Sequence, residues 1–175
     1  MAFCNPVRNV MHLGLLPGHR VADFGAGAGH HTLEAATYIG TMGRVYAVDI
    51  QRELLQRLVN AARAQALENV EIVTGDLEEA GGSGLASASV NAVIAANILF
   101  QLEKREALAA EVARVLREGG KALVIDWKDS YNNIGPQADD VVEKSIARSL
   151  FEQAGLSLVK EIPAGDHHYG FVFRK

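Results

Sequence analysis

Val21-Ala22-Asp23-Phe24-Gly25-Ala26-Gly27-Ala28-Gly29-His30-His31-Thr32 is the stretch on which the reading of this chain turns. It reads as a buried strand, three glycines at every second position, and the first turn of a helix. Glycines let a ligand approach the backbone with no side chain between, and they adopt conformations closed to other residues. The helix behind them aims unpaired N–H groups and a positive dipole end at the same spot. A strand-to-helix turn with no ligand would carry the same glycines. Asp49, at the end of the next apolar run, favours the ligand: a strand-end carboxylate accepts hydrogen bonds from both hydroxyls of a ribose. Asp49 would equally suit the N-cap of the following helix.

The glycine spacing says which nucleoside. A dinucleotide fingerprint runs G-x-G-x-x-G. Here the third glycine comes one residue early, and His30 holds the dinucleotide position. With Asp23 two residues before Gly25, the run resembles motif I of the class I S-adenosylmethionine-dependent methyltransferases. The resemblance continues at Val45-Tyr46-Ala47-Val48-Asp49, at Val73-Thr74-Gly75-Asp76-Leu77, at Ala95-Ala96-Asn97, and at Arg114-Val115-Leu116-Arg117-Glu118-Gly119-Gly120. It implies S-adenosyl-L-methionine as cofactor. It further implies that Asp23, Gly25, Ala26, Gly27 and Gly29 form the cofactor loop and that Asp49 meets the ribose. Gly75 and Asp76 would lie at the adenine amino group, Ile50 and Leu77 on the two faces of the ring, and Asn97 beside the methionine part and the acceptor. Asn91 stands where the family often has Asp, and Glu118 where it often has Pro.

The alternation of strand and helix implies an α/β, doubly wound, Rossmann-like seven-stranded sheet. It would be mostly parallel, with one antiparallel strand and helices on both faces. Asn5-Pro6 opens a short N-terminal helix as N-cap and first helical residue, and residues 1–19 serve as that helix and a lead-in. Strands are expected near Arg20–Phe24, Arg44–Ile50, Val70–Thr74, Val90–Ala96 and Ala122–Asp126. Helices are expected over His30–Ile39, on the Leu54-Leu55-Leu58-Val59-Ala62 stripe, over Lys104–Leu116 and over Asp139–Ala154. Leu156–Ile162 and Tyr169–Phe173 have no helix between them, so they pair antiparallel. Gly81-Gly82-Ser83-Gly84 reads as a flexible segment, either a lid or a plain connector.

Composition bounds the rest. Length suits one domain over residues 1–175, with 49% hydrophobic and 22% charged residues. A net charge of −4 shows no basic nucleic-acid footprint. The single Cys4 rules out an intrachain disulfide and, with no membrane-spanning run or signal segment, suggests a cytoplasmic protein. Six histidines and one cysteine form no metal-ligand spacing.

An activated methyl group needs mainly a positioned acceptor and the exclusion of water; a base is needed only where the acceptor sheds a proton. The candidates for that role are His31, at the helix start where the dipole depresses an imidazole's pKa, Asp126 and Lys128 after the fifth strand, and His168 in the last hairpin loop. Trp127 would stack on a planar acceptor or be buried. The chain lacks the Asn/Asp-Pro-Pro-Tyr/Phe signature for planar nitrogens, and one cysteine argues against cysteine-dependent arsenite and 5-methylcytosine mechanisms. Asn97-Ile98-Leu99-Phe100-Gln101 resembles methyltransferases of quinone biosynthesis and their small-molecule relatives. A small-molecule acceptor is therefore expected. RNA is the alternative, on a rim of Arg8, Arg20, Arg44 and Arg52, as is a non-catalytic module that holds cofactor or partner. The glycine spacing argues against an NAD-linked oxidoreductase, and a homodimer is compatible with the small size.

Overall fold

The computed structural model describes residues 4–132 and 134–175. Seven strands form one sheet: β1 Arg20–Phe24, β2 Arg44–Asp49, β3 Val70–Thr74, β4 Val90–Ala96, β5 Leu116–Trp127, β6 Ser157–Pro163 and β7 His168–Arg174. Their order across the sheet is β3-β2-β1-β4-β5-β7-β6. All are parallel but β7, which runs against both of its neighbours. Order therefore reverses between β1 and β4, and the loops leaving those two strands diverge there. In doubly wound sheets ligands bind at that crevice.

Alternation along each strand sends residues to two separate helix layers. Val21, Ile94, Leu123, Ile125 and Val172 pack under α1 (Pro6–Met11) and α2 (His30–Ile39), with Val10, Ala35, Ala36 and Ile39. Ala47 meets Leu55 and Leu58 of α3 (Arg52–Ala64) on the same side. The opposite side carries Phe24, Val93, Ala95, Val124, Phe171 and Phe173. They pack against Leu108 and Val112 of α4 (Arg105–Val115) and Ala147 and Phe151 of α5 (Lys144–Gln153). The central strands are buried on both faces, which is why their sequences are apolar runs rather than alternations.

Local signals decide the ends. The Asn5 side chain accepts from the N–H of Arg8 at 3.1 Å and caps α1 as expected. Asn69 donates its amide to the carbonyls of Ala36 and Gly40 at 2.8 and 2.9 Å, closing the end of α2 from outside the helix. Asn91 occupies its unusual place by accepting from the N–H of Arg20 at 2.9 Å.

Three expectations change. The Asp139–Ala154 helix is shorter: a single 3-10 turn covers Ala138–Asp140, and α5 starts only at Lys144. Val142 between them lies outside any helix and is buried, so its apolar spacing reflects core contact rather than helix. The fifth strand begins at Leu116, since Val90 pairs with Leu116 before a register shift. The Gly81–Gly84 segment is pinned: buried Ser83 donates its hydroxyl to Glu111 at 2.5 Å and its N–H at 3.1 Å. Arg114 holds the same carboxylate at 2.7 Å. Among the described residues, no helix is long and apolar enough to cross a membrane.

Candidate functional site

The turn after β1 sets the site. Gly25 N–H and Ala26 N–H both reach back to the carbonyl of Val48 on β2, at 2.9 and 3.1 Å. A side chain at Gly25 would drive its Cβ to 2.5 Å from Cδ1 of Ile98. Gly29 has φ +85° and is the N-cap of α2; a Cβ there would meet Leu58 of α3 at 2.5 Å. One glycine thus admits the wall after β4 and the other admits α3. Over Gly27 a Cβ would find no neighbour closer than 3.9 Å, so that face of the turn opens into the cleft.

Asp49 closes the turn from the end of β2. Its Oδ2 accepts the N–H of Gly27 at 2.8 Å and its Oδ1 the N–H of Gln51 at 2.8 Å. Gln51 is the residue preceding α3, which has no side-chain cap. The helix-cap alternative for Asp49 is therefore excluded: the carboxylate is tied to the glycine turn. Each oxygen keeps a lone pair for a ligand.

Asp23 lies beneath the same turn, buried, with Thr32 donating its hydroxyl at 2.6 Å. Burial, with the nearby Asp49 charge, pushes its carboxyl up to about 6 against the pull of the Thr32 bond.

Two hollows flank the turn. One, of about 240 Å³, is lined by Gly25, Gly27, Asp49, Gly75, Asp76 and Leu77, with Ile50, Gln51, Leu54, Glu78, Ile98, Gln101 and Leu102 completing it. Leu77 is buried and Ile50 exposed, giving a fixed and an open apolar wall. Asp76 accepts the N–H of Glu78 at 2.9 Å, leaving its other oxygen unengaged by that turn. The second hollow, of about 400 Å³, shares Gly25, Gly27 and Gln101 and is otherwise lined by Asp23, Ala26, His30, His31, Ala96 and Asn97 with Cys4 and Pro6. Asn97 has φ +58°, and its buried Oδ1 has no partner among the described residues.

All eleven expected cofactor residues but Gly29 line one of the two hollows, and Gly29 shapes the turn from behind. The expected catalytic group divides. His31 lines the second hollow, and burial, then His30 and His168, push its imidazole down to about 4. The direction matches expectation, but the leading cause is burial rather than the helix dipole.

Asp126 is fully buried and lines neither hollow. It accepts the N–H groups of Leu99 at 2.7 Å and Trp127 at 2.8 Å, so it braces the turn after β4. Burial pushes it up to about 6 despite those bonds. His168 is the first residue of β7, not a rim residue: it is buried against Trp127, ring centroids 4.2 Å apart. Trp127 is buried too, over Gly135. Lys128 is exposed and lines a different hollow with Lys144 and Glu161. The four arginines do not share one rim. Arg20 and Arg44 are register partners at the amino ends of β1 and β2, the edge away from the site.

Gln101 and Glu78 escaped the sequence reading. Gln101 donates to the carbonyl of Asn97 at 2.7 Å and stands between the hollows. Glu78 accepts from the N–H groups of Glu103 and Lys104 at 2.7 and 2.6 Å, capping the approach to α4 from another loop. Gln101 lay in a run already singled out; for Glu78 no local signal exists. Among the described residues no group of three or more His, Cys, Asp and Glu side chains is placed to hold a metal ion.

Comparison with known proteins agrees with this geometry. A family of methyltransferase domains matches residues 15–155. An arsenite methyltransferase of Halobacterium salinarum is 31% identical over 127 residues, which is 73% of this chain and 31% of that protein. A probable cobalt-precorrin-6B C(15)-methyltransferase (decarboxylating) of Sulfurisphaera tokodaii is 25% identical over 158 residues, covering 85% of this chain and 78% of that protein. A SAM-dependent methyltransferase from Aquifex aeolicus superposes with a TM-score of 0.86 at 24% identity, over 98% of this chain and 89% of that one. The chain thus spans about a third of the haloarchaeal relative, but most of the other two. From its glycine turn, its sheet order and these matches, the chain belongs to the class I S-adenosyl-L-methionine-dependent methyltransferase superfamily.

Proposed function

We propose that this protein transfers the methyl group of S-adenosyl-L-methionine to a small-molecule acceptor, as one domain over residues 1–175. The observation that carries the reading is the Gly27–Asp49 bond, which fixes a carboxylate of the first hollow to the glycine turn that both hollows share. The first hollow suits a nucleoside. Asp49 would take the ribose hydroxyls, Ile50 and Leu77 the faces of the base, and Asp76 its amino group. Gly25, Ala26 and Gly27 would pass beneath the methionine part, Asp23 and Asn97 would hold its polar end, and Gly75 would let the loop after β3 close in. The unpartnered Oδ1 of Asn97 fits a ligand with a donor at that place.

When bound, the cofactor supplies a methyl group already activated for in-line displacement. The chain's own contribution is then to orient the acceptor and exclude water. Ile98, Gln101 and Leu102 roof the first hollow, while Pro6 and Cys4 wall the second.

A small molecule is favoured over RNA because Arg20 and Arg44 stand at the sheet edge away from the site, so the four arginines share no single rim. The two relatives quoted are named for arsenite and a precorrin, both small molecules. Arsenite itself is disfavoured here: Cys4 stands alone, and burial pushes its thiol up to about 11, keeping it protonated.

The test is calorimetric titration of the purified protein with S-adenosylmethionine, S-adenosylhomocysteine and NAD, followed by an acceptor screen with methyl-labelled cofactor. Micromolar binding of both sulfur ligands and label on a small molecule are expected. Binding of NAD alone would sink the reading, and label recovered only in RNA would overturn the acceptor class.

A further inference from the structure

Asp126 lines neither hollow, yet its fully buried carboxylate sits inside the turn that walls both. After β4, Asn97 takes φ +58° and Ile98 a right-handed conformation, so successive N–H groups converge into a concave anion cradle. Asp126 fills it. Oδ2 accepts the N–H of Leu99 at 2.7 Å, Oδ1 accepts that of Trp127 at 2.8 Å, and the N–H groups of Ile98 and Phe100 turn to it as well. Arg105 of α4 holds the other end of the same 3-10 turn, its Nε donating to the Leu99 carbonyl at 2.8 Å. Residues 97–102, clamped in this way, give Ile98, Gln101 and Leu102 to the first hollow and Asn97 with Gln101 to the second. A buried carboxylate is costly unless several donors satisfy it. Only the ionised acid offers acceptor sites to all four N–H groups; an asparagine would bring two donors of its own.

Resting on the methyltransferase reading above, we propose that Asp126 is a positioning residue of the cofactor site. Its ionised carboxylate holds residues 97–102 in the arrangement that binds cofactor, so the cofactor selects the ionised form. Protonation turns one oxygen into a donor among N–H groups that are donors themselves, and the cradle loosens. Burial raises the Asp126 carboxyl to about 6 against the pull of its four backbone partners, so the two forms exchange near that pH. The groups around it keep their charge there. Tyr169, its register partner on β7, is buried and pushed up, and so stays neutral. Cys4, pushed up to about 11 mainly by burial, stays a thiol. Arg105 stays a cation on the far side of the turn. Since the ligand prefers the ionised form, binding lowers the Asp126 pKa, and affinity is lost as pH falls through about 6.

Protein labelled with nitrogen-15 is titrated in pH, with and without saturating S-adenosylhomocysteine, while nuclear magnetic resonance follows the backbone N–H groups of Leu99 and Trp127. Without ligand, both are expected to move together with a midpoint near pH 6. With ligand, that midpoint should fall by about one unit, equivalent by linkage to a tenfold preference for the ionised form. The N–H of Thr32, which faces Asp23, reports that other raised carboxyl separately. Asp126→Asn should abolish the titration at Leu99 and Trp127 and bind S-adenosylhomocysteine about tenfold more weakly at pH 7.5. A midpoint at Leu99 and Trp127 that the ligand leaves unmoved or raises, no titration there at all, or an Asp126→Asn variant that binds as tightly as the wild type would overturn the inference. Should S-adenosylhomocysteine itself fail to bind the wild type at pH 7.5, the methyltransferase reading falls instead. The wild-type titration decides the matter even where the variant does not fold.

Discussion

Gly27 N–H donates to Oδ2 of Asp49 at 2.8 Å, across 22 positions of sequence, so the glycine turn and the acid at the end of β2 form one unit. Replacing Asp49 removes both the ligand-facing oxygens and the anchor of the turn. Hydrogen bonds to a charged group contribute about 1.5–3 kcal/mol, so Asp49→Ala is expected to weaken S-adenosylhomocysteine by about 10- to 100-fold. Asp49→Asn retains an acceptor for Gly27 and should fall between. Calorimetry on both variants checks the order.

Gly27 and Gly29 should fail differently. At Gly29 a methyl group meets Leu58 at 2.5 Å in a left-handed backbone, so Gly29→Ala is expected to cost about 3 kcal/mol in urea unfolding. At Gly27 the space is open, and the left-handed backbone costs only about 1–2 kcal/mol. Gly27→Ala should fold, yet bind S-adenosylhomocysteine at least about tenfold more weakly because its methyl stands in the cleft. Equal losses of stability in the two variants would contradict this division.

Glu78 ties the loop after β3 to the start of α4, so it keeps two walls of the first hollow together. Glu78→Ala strands the N–H groups of Glu103 and Lys104 and should lower stability by about 1 kcal/mol, as the loss of a helix cap does. Cofactor affinity should fall with it. Glu78→Gln keeps a carbonyl acceptor and should restore most of both, measured by unfolding and by titration.

Buried titratable groups oppose one another in pH. Burial holds His31 and His168 down at about 4, so the unfolded chain binds more protons between about pH 4 and 6.5. Their contribution to stability is lost as pH falls through that window. Asp23 and Asp126, raised to about 6, bind their protons in the folded state, so their contribution is lost as pH rises from about 4 to 6. The two pairs offset, and the wild-type profile between pH 4 and 6.5 should be shallow. His168→Phe removes two buried nitrogens with no partner among the described residues while keeping a ring against Trp127. It should gain about 1 kcal/mol at pH 7 and more at pH 5. Urea titrations at both values decide it; a gain that shrinks on acidification would be contrary.

Strand and helix positions were legible because apolar runs and stripes at helical spacing are properties of neighbouring residues. So was the cofactor turn, whose glycines and acids sit in motifs a few residues long. The Asp139–Ala154 helix misled for the same reason: Val142 keeps helical spacing but is buried from a segment ahead of the helix. The catalytic candidates were harder to place. Asp126, Trp127, Lys128 and His168 follow strand ends in the sequence. Yet alternation on β5 and β7 buries Asp126 on one face and Trp127 with His168 on the other, and leaves Lys128 outside.

By itself, then, the sequence determined the doubly wound sheet, its antiparallel last pair and the nucleoside turn, all set by local pattern and chain connectivity. Only the tertiary structure decided that Gly81–Gly84 is pinned by Glu111, that Glu78 caps α4, and that His31 rather than Lys128 faces the second hollow. Those outcomes depend on which distant side chains burial brings within hydrogen-bond reach, and no window of sequence contains that distance.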